Sequence, residues 1–243
     1  MIKAVIFDLD GTLVQTEILK AGSYAQAMHQ ISHGQVTESE VEAAFKDLVG
    51  LSRAEVAGNL VQQHLQHLIP DAFPDMEAAV RELISLRLDI YAQMTSDPAV
   101  LPKYSCEFNI GLLNTSRQLK MKTGLATMSH QVQVEKVLNI LQLQDHFDRI
   151  ITRDMIQNGK PDPEIYLKMV EQLQVQPQEA IIIEDSVSGI KAAMNAGIQV
   201  FAVTNRLTRF SVNSSNMLDP QFIINDVKEL NLRVMDFIKS KAA

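Results

Sequence analysis

The sequence predicts an α/β fold, a Rossmann-like doubly wound parallel sheet carrying an inserted helical cap. Three observations predict it. Short Ile/Val-rich runs flanked by turn residues alternate with helical periodicity over the second half of the chain, the pattern of strands covered on both faces. The first such run, Ala4 to Phe7, stands far from the next, at Gly124. Between them, Thr16 to Asp97 reads almost entirely as helix, too long for a crossover between neighbouring strands.

In chain order, strand Ala4 to Phe7 is followed by helical segments Ala21 to Ile31, Glu38 to Val49, Arg53 to Leu68 and Asp75 to Met94, with Ser39, Ser52 and Asp75 as caps or first-turn residues. Gly124 to Ala126 is the second strand. The next helix, Val132 to Leu143, places Val134, Val137, Leu138 and Leu141 on one face. After strand Arg149 to Ile151, Pro163 opens a helix to Leu173 with Ile165, Met169 and Leu173 inward. Ala180 to Ile183, Val200 to Val203 and Phe222 to Ile224 complete the strands. The expected division is a core of residues 1–15 and 98–243 and a helical cap of residues 16–97.

With 46% apolar and 21% charged residues the chain can bury a substantial core. Its net charge of −7 argues against a nucleic-acid partner, because no basic stripe exists to neutralise phosphates. A lone cysteine, Cys106, forms no internal disulfide and suits a reducing cytoplasm; it reads as a packed or surface thiol. No apolar run approaches the roughly 20 residues of a membrane span, and the chain opens on a strand pattern, so neither a membrane partner nor a signal peptide is expected.

Four motifs carry chemistry, each at a strand's expected carboxyl end, where open α/β sheets bind ligands. In Asp8-Leu9-Asp10-Gly11-Thr12-Leu13, one carboxylate can bind a cation and attack phosphorus while the other moves a proton; Gly11 allows the turn. Leu125-Ala126-Thr127-Met128-Ser129 offers hydroxyls and a following helix start to a phosphoryl group, or simply a helix cap. Gly159-Lys160-Pro161-Asp162 puts a cation before a proline-fixed helix, where it can neutralise phosphoryl and carboxylate charge. Ile181-Ile182-Ile183-Glu184-Asp185 ends an apolar strand with two acids, whose mutual repulsion a divalent cation relieves, although Asp185 also suits a helix cap. A parallel sheet must bring all four to one crevice.

In these motifs and across nearly its whole length the chain resembles the haloacid dehalogenase superfamily, in the beta-phosphoglucomutase-like branch with a helical cap after the first motif. The resemblance implies Asp8 as nucleophile, Asp10 as general acid and base, Thr127 as phosphoryl hydrogen-bond donor and Lys160 as electrostatic clamp. It also implies Mg²⁺ held by Asp8, the Asp10 carbonyl and Asp185, with Glu184 near or on the metal. Substrate contacts are expected from Thr16, Lys20, Met128 and Ser129, and from Arg53 of Gly50-Leu51-Ser52-Arg53, where a guanidinium can hold a distal phosphate.

The chain departs from the family at Lys20, where sugar phosphomutases of this group carry histidine, and at Gln15, where aspartate is common. It also lacks the usual Pro-Gly turn near residue 108, for which Asn109 is expected as a helix-start substitute. His64 and His67 are expected on an exposed helix face, and His130 can approach the crevice. The expected activity is Mg²⁺-dependent hydrolysis of a small, sugar phosphate-like metabolite through an aspartyl phosphate, in the cytoplasm. A phosphomutase is the alternative, favoured slightly by Arg53 and disfavoured by Lys20 and Gln15. A non-catalytic phosphometabolite-binding protein is the third reading.

Overall fold

The structure, a computed structural model, describes residues 1–66 and 72–241. Six parallel strands form one sheet in the order β3-β2-β1-β4-β5-β6, from β1 (Ala4–Phe7), β2 (Lys122–Ala126), β3 (Arg149–Ile151), β4 (Ala180–Glu184), β5 (Gln199–Val203) and β6 (Ile223–Ile224). The chain steps outward from β1 to β3, then returns across β1 to β4, so the topological switch lies beside β1. Phe7 registers with Leu125 on one side and Ile183 on the other. The next row, Asp8, Ala126 and Glu184, therefore starts the crevice.

Period-two alternation divides the core. Val5, Phe7, Leu125, Ile181, Ile183, Phe201 and Val203 face α5 (Glu107–Gln118), α6 (Gln131–Leu141) and α10 (Leu230–Ser240). Ala4, Ile6, Ala126, Ile182, Val200 and Ala202 face α7 (Glu164–Gln172), α8 (Val187–Asn195) and α9 (Arg209–Ser214). Both faces being covered explains why β4 runs Ala-Ile-Ile-Ile before Glu184; burying each of its Ile side chains contributes roughly 1.5–3 kcal/mol.

Helices α1 (Thr16–Ile31), α2 (Glu38–Phe45), α3 (Arg53–His64) and α4 (Met76–Met94) have a hydrophobic cluster of their own, centred on Tyr24, Phe45, Leu60, Leu65 and Leu83. Capping chemistry marks the starts of α2, α3 and α4. Thr37 and Ser52 form capping boxes with Glu40 and Glu55, and the Asp75 side chain accepts from the Ala78 amide at 2.7 Å. The two connections to the sheet run side by side: the Gln15 amide donates to the Tyr104 carbonyl at 2.8 Å and the Cys106 amide to the Leu13 carbonyl at 2.9 Å.

Several boundaries differ from expectation. Helix α1 starts at Thr16 rather than Ala21, because Glu17 suits a first turn and the chain leaves the sheet as soon as Val14 bridges Ser105. The segment from Glu38 loses α-geometry after Phe45 and passes through a 3-10 turn, Lys46–Leu48. Helix α3 ends at His64, so the expected end at Leu68, and His67, lie outside the described residues. His64 is half-buried rather than exposed, with Nε2 shielded from solvent. The last strand starts at Ile223 because Pro220–Phe222 forms a 3-10 turn capped by Asp219. Asn109 does not start its helix; Cys106 precedes the first turn, and the buried Asn109 amide instead donates to the Thr12 carbonyl at 2.6 Å.

Candidate active site

The four motifs converge. Asp8, Asp10, Lys20, Arg53, Thr127, Met128, Ser129, Lys160, Glu184 and Asp185 line one pocket beyond the strand ends, with a cavity of about 60 Å³ between sheet and helices. Thr16 reaches it through Asp10.

Asp8 follows β1 directly, and its amide donates to the Ile183 carbonyl at 3.0 Å, which fixes the backbone. Its Oδ1 accepts from Lys160 Nζ at 2.7 Å. Among the described residues no donor meets Oδ2. Burial pushes the Asp8 carboxyl up to about 8 against the pull of Lys160, with the Glu184 and Asp10 anions adding to the rise.

Lys160 is 2% exposed and is fully occupied: Nζ also donates to Glu184 Oε1 at 2.5 Å and to the Ala126 carbonyl at 3.3 Å. Burial opposes its charge, but Asp8 and Glu184 more than offset this, so the ammonium is retained.

Glu184, expected near or on the metal, lines the same pocket and is held in this network. Besides Lys160, its Oε1 accepts from the Tyr166 hydroxyl at 3.0 Å, and its Oε2 accepts from the amides of Asp185 and Ser186 at 2.8 and 2.9 Å and from Ser186 Oγ. Protein donors fill both oxygens. Gly189 makes this possible, since a Cβ there would lie 1.7 Å from Glu184 Oε1.

Asp10 points away from Asp8's partners. Its Oδ1 accepts from the Thr16 hydroxyl, and its Oδ2 accepts from Ser129 Oγ and pairs with Lys20 Nζ at 2.8 Å. Burial raises this carboxyl, but Lys20 and the hydroxyl donors outweigh it and hold it below the usual range. Only its main chain is left for a cation. Lys20 also binds Glu17 Oε1 at 2.9 Å, placing one ammonium between two carboxylates.

Thr127 is 1% exposed, and its Oγ1 accepts from the Ser129 amide at 3.1 Å, which leaves the hydroxyl proton for a ligand. Asp185 Oδ2 accepts from Asn205 Nδ2 at 2.6 Å; burial, then the Glu184 and Asp8 anions, push its carboxyl well above the usual range. Gly11 turns with φ +83°, and a Cβ there would lie 2.0 Å from Asp185 Oδ2. Gly11→Ala is therefore expected to destabilise the protein by at least about 1–3 kcal/mol and to displace the Asp185 carboxylate, measured by chemical denaturation and by the Mg²⁺ dependence of activity.

Among the described residues no three His, Cys, Asp or Glu side chains come together as a metal-ligand set. The site offers two carboxylates, Asp8 and Asp185, and since the one Lys160 ammonium is shared between Asp8 and Glu184, net negative charge remains when they ionise. Mg²⁺ prefers one or two carboxylates completed by water and substrate oxygen, so the donor set fits it.

Sequence reasoning missed Asn205, Tyr166 and Arg87. Asn205 stands two residues beyond β5, so the strand-end rule could have found it. Tyr166 and Arg87 lie inside amphipathic helices, where nothing local marks them. Cys106 is a packed thiol, pushed up to about 11 by burial.

The family model for haloacid dehalogenase-like hydrolases matches residues 5–203. The chain is 30% identical over 234 residues to a phosphorylated carbohydrates phosphatase of Thermotoga maritima, covering 94% of this chain and 99% of that one. It is 28% identical over 204 residues to the validoxylamine A 7'-phosphate phosphatase of Streptomyces hygroscopicus subsp. limoneus, covering 84% and 86%. Its fold matches the crystal structure of a beta-phosphoglucomutase from Clostridium difficile with a TM-score of 0.71 at 23% identity, over 98% of this chain and 99% of that one. Members of the family generally use Mg²⁺. The chain belongs to the haloacid dehalogenase-like hydrolase family, on its phosphatase side.

Proposed function

We propose that this chain is a Mg²⁺-dependent phosphatase of a small, sugar phosphate-like metabolite, with Asp8 as the residue transiently phosphorylated. One observation carries the reading: Asp8 is buried with Oδ1 clamped by Lys160 and Oδ2 without a protein donor, in a pocket it shares with Thr127 and Asp185. Bound between Asp8, the Asp10 carbonyl and Asp185, Mg²⁺ would neutralise charge on the carboxylates and the phosphoryl oxygens.

The residues divide the work. Asp8 Oδ2 forms a bond to phosphorus as the ester P–O bond breaks, and Asp10 delivers a proton to the departing oxygen. Water then attacks the phosphoaspartate, Asp10 takes its proton, and phosphate leaves as Asp8 is restored. Thr127 donates to a phosphoryl oxygen, and Lys160 screens it from Asp8. Lys20, Ser129 and Thr16 favour the Asp10 anion, the form that activates water. Proton delivery in the first half-reaction needs the Lys20 contact to loosen. Glu184 acts as a positioning residue for Lys160. The separate hydrophobic cluster of the helices between residues 16 and 97 supports treating them as a cap over a core of residues 1–15 and 98–243, whose opening and closing would admit substrate.

Phosphate release from a panel of esters, with and without Mg²⁺, tests the reading; chromatographic appearance of an isomer in place of free phosphate would identify a mutase instead. Chelation is expected to abolish turnover, and Mg²⁺ to restore it. The metal should also stabilise the fold in a pH-dependent way. With the Asp8 carboxyl at about 8 against an ordinary 3.8, the native state binds more protons than the unfolded chain across that window, so metal-free stability falls as pH rises. Mg²⁺ competes with those protons, and the rise in Tm at fixed Mg²⁺ is expected to be larger at pH 8 than at pH 6.

A cytoplasmic setting fits the lone thiol. Among the described residues no helix is long and apolar enough to cross a membrane.

A further inference from the structure

We infer that Asn205 is a positioning residue that limits Asp185 to a single open carboxylate oxygen and so biases the site toward Mg²⁺ over Ca²⁺. The inference rests on the proposed binding of Mg²⁺ between Asp8 and Asp185, and adds what selects the ion.

Asn205 stands in the loop after β5, and its amide group is engaged at both ends. Oδ1 accepts from the Leu207 and Thr208 amides at 2.8 and 3.2 Å. An amide oxygen pinned by two N–H donors leaves the NH₂ as the end that faces the site. Nδ2 donates to Asp185 Oδ2 at 2.6 Å and to the Gly11 carbonyl at 3.4 Å, so one side chain ties the end of β4 to the turn that follows Asp8. Gly11 closes on the same oxygen: a Cβ there would lie 2.0 Å from Oδ2 and 3.0 Å from Oδ1. Asp185 is 1% exposed, and among the described residues no donor meets its Oδ1.

Asp8 has the matching restriction, with Oδ1 held by Lys160 and Oδ2 open. Each acid therefore presents one oxygen, and that count separates two cations. Mg²⁺ demands near-octahedral geometry at about 2.0–2.1 Å and keeps several waters, so single carboxylate oxygens suit it. Ca²⁺ takes about six to eight oxygens and readily accepts both oxygens of one carboxylate. A donor on Asp185 Oδ2 blocks that second mode. It also orients the ligand, and losing such an outer partner typically costs about 10–100-fold in metal affinity. Lys160 restricts Asp8 but also serves the reaction. Asn205 does not line the pocket, so replacing it bears on the metal rather than on substrate contacts.

The test uses the full chain without substrate, titrated with MgCl₂ or CaCl₂, with dissociation constants taken from the rise in Tm and checked by calorimetry. In N205S the hydroxyl can still accept from the turn amides but is too short to reach Asp185. The ratio of the Ca²⁺ to the Mg²⁺ dissociation constant is expected to exceed one in the wild type and to fall about tenfold in N205S. If N205S does not fold, N205D decides: it keeps the acceptor for the turn and removes the donor, and the ratio should fall about as far. An Asn205 needed only to hold the turn before α9 would lower the metal-free Tm of N205S and leave the ratio unmoved. An unchanged ratio in either folded variant overturns the inference, as does a wild type that binds Ca²⁺ as tightly as Mg²⁺. A wild type that binds no Mg²⁺ overturns it together with the metal reading. The expected ratios in a protein that hydrolyses no ester would uphold the role of Asn205 and strike the phosphatase reading alone.

Discussion

Replacing Asp8 with asparagine is expected to lower kcat by at least about 10⁴-fold, because the nucleophile is gone and no neighbouring side chain can take its place. Lys160 is committed to Asp8 and Glu184, Asp10 is turned toward Thr16, Ser129 and Lys20, and both Glu184 oxygens are saturated. The fold should survive. Burial and the adjacent Glu184 and Asp10 anions already disfavour a charged Asp8, so a neutral isostere removes repulsion at the cost of one charge-assisted contact with Lys160. A thermal midpoint in metal-free buffer at or above that of wild type, together with loss of phosphate release, is the expected pair of results. Wild-type turnover in this variant would remove Asp8 from the chemistry.

Lys160→Met is expected to damage both stability and rate. The substitution leaves Asp8 and Glu184, 6% and 0% exposed, without their shared cation. Breaking a buried ion pair from one side costs about 3–5 kcal/mol. Loss of a charge clamp at the reacting phosphoryl group lowers kcat by about 10²–10³-fold. The pH dependence gives this prediction a sign. Burial opposes ionisation of Glu184, but Lys160 outweighs it and holds the carboxyl below its ordinary 4.5. That stabilisation is present above 4.5 and is lost as pH falls through the lowered folded value. The deficit of the variant against wild type should be full near neutrality and narrow in acid. Urea denaturation of both proteins at several pH values measures it, and a deficit that widens in acid would contradict the assignment of Glu184 to Lys160.

Much of the fold was legible along the chain because its signals are local. Strand β4 shows as consecutive Ile residues, since both faces of a central parallel strand are buried, and α3 begins where Ser52 and Glu55 make a capping box. The errors came where a long-range contact overrides local preference. Asn109 looks like a helix starter by position, yet its buried amide serves the Thr12 carbonyl, 97 residues earlier. Helix α2 gives way after Phe45 to a 3-10 turn, Lys46–Leu48, with the Phe45 ring packed 5.8 Å from Tyr24, a change that the run of periodic residues to Val49 does not reveal.

Residue order alone was enough to specify a parallel α/β sheet, the helical insertion and the four motif side chains that meet at one crevice, because each is encoded by periodicity or by position at a strand end. The partnerships inside that crevice were settled only by folding: Glu184 with the Lys160 ammonium, Asp10 with Lys20, Asp185 with Asn205, and Arg87 with no acidic partner among the described residues. The physical reason is desolvation. Outside the folded chain each of these groups is hydrated and indifferent to the others, and only when packing strips away the water does it matter which donor stands within hydrogen-bond reach of which carboxylate.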